Sequence, residues 1–123
     1  MDYSKMSDQE INLAVANIIH PELSPIESKV RPPSILYPGV TEWYDYCNNP
    51  ADAWPIIQEN YISLILDNPS SAMATSNCVG WYSDEDAPIH ASSLNPLRAA
   101  MIVFLMMQDS ANVPANSTGS DIR

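Results

Sequence analysis

The sequence predicts an α+β fold: a small α/β/α-type sandwich with about three helices around a short antiparallel sheet. Two segments begin with Asn-Pro and continue with helix-forming residues, which predicts two of the helices. Two apolar runs rich in β-forming residues lie between those segments, on either side of a turn sequence, and predict a hairpin. We expect a single domain at residues 1–110 of the 123 residues, followed by a flexible tail at 111–123.

The first helix begins at a capping box. Ser7 can accept a hydrogen bond from the amide of Glu10, while the Glu10 side chain reaches back to the amide of Ser7. Apolar residues then recur at helical spacing on one face, and Pro21 ends the helix just after His20. We therefore interpret His20 as an end residue of the helix rather than a catalytic group.

Residues 21–38 contain five prolines. Proline lacks an amide hydrogen, so this density of prolines predicts an extended loop without regular hydrogen bonding, laid over the domain. A loop of this length is unusual in a compact domain. Lys29 and Arg31 form its one basic spot, which we expect to be solvated rather than to bind phosphate.

The second helix is predicted at residues 50–60. Asn49 is its cap, and Asp52 is an acidic residue in the first turn, where the helix dipole favours negative charge. Pro55 lies past the positions where a missing amide costs nothing, so a kink or a tight turn is expected there.

The predicted hairpin follows the second helix. Its strands are the apolar run at 61–66 and a second run at about 73–82, and residues 67–71 form the turn. Gly80 permits a bulge or a close backbone contact.

The last predicted helix, NPLRAAMIVFLMMQ at residues 95–108, has almost no polar face. Asn95 caps it, and the apolar run is too short to span a bilayer. The helix must be covered by the sheet of the same chain, by a second subunit or by a partner. Two or three strands and two short helices offer limited cover, so we predict a homodimer in which this helix or the strand beside it contributes to a two-fold interface.

The composition is strongly acidic. Fifteen acidic residues against five basic ones give a formal net charge of −10. Nucleic acid and anionic lipid both need Lys and Arg to neutralise phosphate, so we expect neither nucleic acid nor a membrane to be a direct partner. A charged partner should be basic.

No motif predicts a reaction or a cofactor. The first residues show no basic region followed by an apolar run, so we expect a cytoplasmic protein whose thiols, Cys47 and Cys78, are reduced. These cysteines with His20 and His90 lack the close pairs of ligands that structural zinc sites use. Without a nucleophile elbow or a glycine-rich phosphate loop, we expect no enzyme activity, no metal and no cofactor.

Aromatic, acidic and basic side chains are the candidates for contacts with a partner or ligand. Asp52 lies close to a helix start, so we favour a capping role over a recognition pair with Trp54. Adjacent carboxylates at 84–86 are interpreted as solvated rather than metal-binding. A cation in the first turn of a helix opposes its dipole, so Arg98 should have a specific acidic partner inside the chain or beyond it. The candidates are Trp43, Tyr44, Asp52, Trp54, Trp81, Asp84, Glu85, Asp86 and Arg98.

Three segments carry a resemblance to a known family: DYSKMSD at 2–8, CNNPADAWPII at 47–57 and the helix sequence at 95–108. Together with Glu59, Asn60 and the strand predicted after them, these segments resemble the NinX family of small bacteriophage proteins. The resemblance implies a phage setting, an α+β sandwich and an accessory protein with no assigned reaction. It supplies no catalytic residues.

These observations support two functional hypotheses. The first is a non-enzymatic phage accessory protein that binds a host or phage macromolecule, as an acidic inhibitor of host defence or of nucleic-acid-handling machinery. The alternative is a small-molecule binding protein that sequesters a nucleotide signal. In that case the tryptophans would stack on a base, and Arg98, Lys29 or Arg31 would contact phosphate.

Overall fold

Three helices and two small sheets make up the described part of the chain. The structure, a computed structural model, describes residues 2–28, 33–76 and 89–111. The helices are α1 (Asp8–Ile19), α2 (Pro50–Glu59) and α3 (Pro96–Ala111), and a short 3₁₀ turn (Tyr3–Lys5) precedes α1. The strands are β1 (Ile26–Glu27), β2 (Ile35–Leu36), β3 (Trp43–Tyr44), β4 (Ser63–Ile65), β5 (Ala72–Thr75) and β6 (His90–Ser93). The predicted α+β class is confirmed.

All three predicted helix starts are confirmed. The amide of Glu10 donates to Ser7 Oγ at 3.1 Å and the amide of Ser7 donates to Glu10 Oε1 at 2.8 Å, which completes the capping box. Asn49 and Asn95 each accept a hydrogen bond from the amide two residues further on, at 3.0 and 2.9 Å. His20 is the C-terminal cap of α1, as predicted.

The first sheet has the antiparallel order β1-β2-β3, with Ile35 paired with Glu27 on one side and Tyr44 on the other. Two of its strands lie within residues 21–38, so the prediction of a loop without regular hydrogen bonding is wrong there. Pro25 and Pro38 lie just outside the strands. The amides of the strands are therefore intact and can pair.

The second sheet has the antiparallel order β4-β5-β6. The β4-β5 pair, in which Leu64 is opposite Ala74, confirms the predicted hairpin. Strand β6 was not predicted, because its sequence, His-Ala-Ser-Ser, carries no apolar alternation. Gly80, where we predicted a bulge, lies outside the described residues.

Helix α3 is the middle layer of the fold. It packs against the second sheet on one side and against both α1 and α2 on the other. Every side chain from residue 99 to 105 is buried in this position. The chain therefore covers residues 99–105 of its own apolar helix, which it was not expected to do alone, whereas Leu97, Met106 and Met107 are half-buried. The dimer itself stays a prediction.

Two helix ends differ from the predicted limits. Helix α2 continues through Pro55 and ends at Glu59, one residue before the predicted end. The amide of Ile62 then donates to the carbonyl of Ile57 at 3.0 Å and closes the last turn. Tyr61, between them, has φ 55° and begins no strand. Helix α3 continues to Ala111, three residues beyond the predicted end, and the predicted tail beyond it lies outside the described residues. None of the described helices is long and apolar enough to cross a membrane.

Candidate functional site

A partly open cleft of about 480 Å³ is lined by the end of α1, by α2 and by one residue of α3. Its apolar lining comes from α1, α2 and α3, and its polar lining comes from two carboxylates of α2, an asparagine just after α2 and two tyrosines. A volume of this size and mixed lining is typical of binding sites in proteins. The lining residues are Ile18, Ile19, Tyr44, Tyr46, Ala51, Asp52, Pro55, Ile56, Glu59, Asn60 and Phe104.

Helix α2 places two acidic residues on the cleft. Asp52 and Glu59 are seven residues apart, which is about two helical turns, so both lie on the same face of α2. Asp52 is half-buried and Glu59 is exposed at the cleft. Asp52 was a candidate from the sequence, whereas Glu59 was missed. The spacing of the two carboxylates along a predicted helix was the signal that could have found Glu59.

Two tyrosines that line the cleft, Tyr44 and Tyr46, pack against each other and against Tyr37. The rings of Tyr44 and Tyr46 stack with centroids 6.1 Å apart, and Tyr37 meets Tyr44 edge to face at 5.5 Å. The hydroxyls of Tyr37 and Tyr46 are 2.6 Å apart and share a hydrogen bond. Burial raises the pKa of both Tyr37 and Tyr46, so these phenols are neutral at physiological pH. The negative charge of the cleft therefore comes from its carboxylates.

Asp52 also holds the segment before α2 in place. Its Oδ2 accepts a hydrogen bond from the amide of Asp45 at 2.9 Å, seven residues earlier in the chain. Burial raises the pKa of the Asp52 carboxyl, and the charges of Asp45 and Glu42 raise it further, whereas the hydrogen bond from the Asp45 amide opposes the shift. Asp52 is thus a half-buried carboxylate among other acids.

Arg98 has the acidic partner that its position required. Its guanidinium donates to Asp8 Oδ1 at 2.7 Å and to the carbonyl of Met6 at 2.7 Å. Both groups belong to the same chain, and they join the start of α3 to the start of α1. Arg98 therefore has a structural role, and it is not among the residues that line the cleft.

Arg98 is one member of a polar cluster that connects the starts of all three helices. Asn95 donates to the carbonyl of Cys47 at 2.6 Å and to Asn48 Oδ1 at 2.8 Å, and Asn12 donates to Asp45 Oδ1 at 3.0 Å. We call this cluster the polar hub; its members are Asp8, Asn12, Asp45, Asn48, Asn95 and Arg98. Most of its members lie in the segments that carry the family resemblance, so these positions of the segments have a structural role.

Cys47 lies against the hub and is a buried free thiol. Burial raises its pKa, which keeps the sulfur protonated and unreactive. Cys78 lies outside the described residues. Across residues 2–28, 33–76 and 89–111, no three His, Cys, Asp or Glu side chains are grouped in a way that could hold a metal ion.

The other candidates from the sequence do not converge on the cleft. Trp43 precedes Tyr44 in β3 and is half-buried; neighbouring residues of a strand point to opposite faces, and Trp43 does not line the cleft. Trp54 is 55% exposed on α2 and also lies outside the lining. Four further candidates lie outside the described residues: Trp81, Asp84, Glu85 and Asp86.

The fold and the cleft define a small α+β protein organised around a central third helix, with an acid-lined cleft between its first two helices. The family described as Bacteriophage P22, NinX matches residues 2–108, a span that includes both sheets and nearly all of the three helices. The chain belongs to the NinX family, which confirms the resemblance and makes it a phage protein. No curated protein matches the chain.

Proposed function

We propose that this phage protein is a non-enzymatic accessory protein that binds a basic segment of a host or phage protein in the cleft between α1 and α2. The observation that carries the proposal is the lining of the cleft: among the described residues it consists of two carboxylates, two tyrosines, an asparagine and apolar side chains, and none of these is basic. Such a lining favours a cationic group with apolar surface beside it.

The net charge of the chain supports the same kind of partner. A formal charge of −10 attracts basic surfaces at long range, and the cleft supplies the short-range contacts that give specificity. The basic surfaces of a cell include those that bind nucleic acid. We therefore propose an inhibitor that acts in the cytoplasm of the host and blocks such a surface on host defence or nucleic-acid-handling machinery.

The alternative, a protein that sequesters a nucleotide signal, gains no support from the cleft. Phosphate needs a cation, and the described residues include only two Lys or Arg side chains, Lys5 and Arg98. Lys5 lies 4.0 Å from Asp2 and Arg98 is held by Asp8. Neither of them lines the cleft.

Affinity capture from a lysate of the bacterial host tests the proposal. The bait is compared with Glu59→Lys, which reverses a charge on the cleft, and with Asp67→Lys, which makes the same change at an exposed residue outside the lining. We expect the unaltered chain and Asp67→Lys to retain a basic partner at low salt, and Glu59→Lys to lose it. Raised salt should weaken the capture, because it screens charges beyond about 10 Å at 0.1 M.

Two results would contradict the proposal. The first is that no partner is captured at low salt. The second is a partner whose capture is unaffected both by Glu59→Lys and by salt, since binding would then not use the acidic cleft.

A further inference from the structure

We propose that the group received by the cleft is an arginine side chain of the partner, with its guanidinium between Tyr44 and the carboxylate of Asp52. This inference rests on the proposed function, because it names the residue type that the same cleft recognises.

The cleft offers a separate surface to each part of an arginine side chain. The apolar part of the lining, which includes Ile18 and Ile19, matches the three methylene groups of the stem. The carboxylates of Asp52 and Glu59 match the charge at its end. A volume of about 480 Å³ holds the side chain and leaves room for the neighbouring backbone of the partner.

The aromatic side of the cleft distinguishes arginine from lysine. Tyr44 is half-buried and lines the cleft, and its ring is fixed by the stack on Tyr46 and the edge contact with Tyr37. A guanidinium is planar and weakly hydrated, so it can stack on a fixed ring and lose water at a small cost. An ammonium group is compact and strongly hydrated, and it loses more on entering a half-buried site.

Asp52 retains the capacity to accept from a guanidinium. Its Oδ2 already accepts the amide of Asp45. A carboxylate has about four lone-pair sites, so further donors can bind to it. The acidic neighbours Asp45 and Glu42 add negative charge around it, and no described cation offsets that charge at the cleft. A guanidinium there would relieve the repulsion among these carboxylates.

Peptide titration at low salt tests the inference. Octa-arginine and octa-lysine carry the same formal charge. A difference in their dissociation constants therefore reports the chemical group that carries the charge, guanidinium or ammonium, rather than the amount of charge. We expect octa-arginine to bind at least about ten-fold more tightly by calorimetry, a difference of about 1.4 kcal/mol. Amide chemical shifts in α2 and around Tyr44 should move during the titration.

Three variants separate the contacts. Tyr44→Phe keeps the ring and should keep the preference for octa-arginine, whereas Tyr44→Leu should remove most of it and leave octa-lysine binding nearly unchanged. Asp52→Asn should weaken the binding of both peptides, and Asp67→Asn, outside the lining, should weaken neither by as much. Circular dichroism of each variant verifies that the fold is retained.

Equal dissociation constants for the two peptides, or a preference that survives Tyr44→Leu, would overturn the inference. If a host partner is nevertheless captured in a manner sensitive to Glu59→Lys, the proposed function stands without it. If neither peptide binds and no partner is captured, both fail.

Discussion

Tyr61 has a backbone conformation that its side chain does not favour. It follows the last turn of α2 with φ 55°, and the bonds from Ile62 to Ile57 and from Tyr61 to Gln58 around it form the closing motif in which glycine is usual at this position. The Tyr61 side chain is 84% exposed, so little packing offsets the strain.

We therefore expect Tyr61→Gly to raise the free energy of unfolding by roughly 1 kcal/mol. Urea denaturation measures the change, and Tyr61→Ala is the control because it removes the ring but keeps the strain. A glycine variant no more stable than the alanine variant would show that the conformation costs nothing.

The carboxyl of Asp52 should make stability depend on pH. Its folded pKa is raised above the ordinary value of 3.8, so the folded state holds the proton longer than the unfolded chain does. The stabilising contribution of this group is present below its unfolded pKa and is lost as the pH rises through the folded pKa.

We expect the free energy of unfolding of the unaltered chain to fall relative to that of Asp52→Asn as the pH rises from about 4 to 7. Urea denaturation of both proteins in the same buffers gives the difference at each pH. A relative rise for the unaltered chain would mean that folding lowers the pKa of Asp52.

At the scale of elements, the polar hub fixes the positions of the three helix starts relative to one another. Arg98 is its only cation, and it bonds to Asp8 in α1 and to the carbonyls of Ser4 and Met6 before α1. Its loss would leave the half-buried Asp8 without a charged partner.

Arg98→Ala is expected to lower the free energy of unfolding by about 2 kcal/mol. Arg98→Lys should recover part of the loss, since an ammonium group can reach Asp8 but lacks the fork that serves three acceptors. Thermal unfolding followed by circular dichroism ranks the three proteins. Equal stabilities would show that water replaces the hub contacts without cost.

Local signals explain which elements were predictable. The helix starts were found because a cap and its amide are within three residues of each other, as at Ser7 and Asn95. Strands of two residues, such as β1, form by pairing with another segment of the chain and are too short to show an alternating pattern in the sequence. The order of the layers could not be predicted either, because an apolar helix such as α3 indicates that it is buried but not which elements cover it.

The same limit applies to the cleft. The residue types of Tyr44 and Asp52 made them candidates, but residue type alone does not show which aromatic and acidic side chains meet. Tyr46 and Glu59 line the same cleft because of the way α2 meets the connection after β3. That arrangement is fixed by the hub, whose members are spread from Asp8 to Arg98.

For the molecule as a whole, the predicted homodimer needs an interface other than the buried part of α3. Leu94 lies between β6 and α3, next to the elements that were predicted to form the interface, and its side chain is 82% exposed. We expect light scattering at micromolar concentration to give twice the chain mass of 13.6 kDa, and Leu94→Glu to reduce it to one chain with the fold intact. A mass of 13.6 kDa for the unaltered protein would show that it is a monomer.

The central position of α3 has a consequence for the way the protein is made. Each described element that packs on α3 precedes it in the chain, so a ribosome synthesises the two earlier helices and the second sheet before their common partner exists. Their apolar faces stay exposed to water and to chaperones until residues 96–111 emerge. A product terminated before α3 would lack the centre of its core, and we expect the cell to degrade it rather than accumulate a shortened fold.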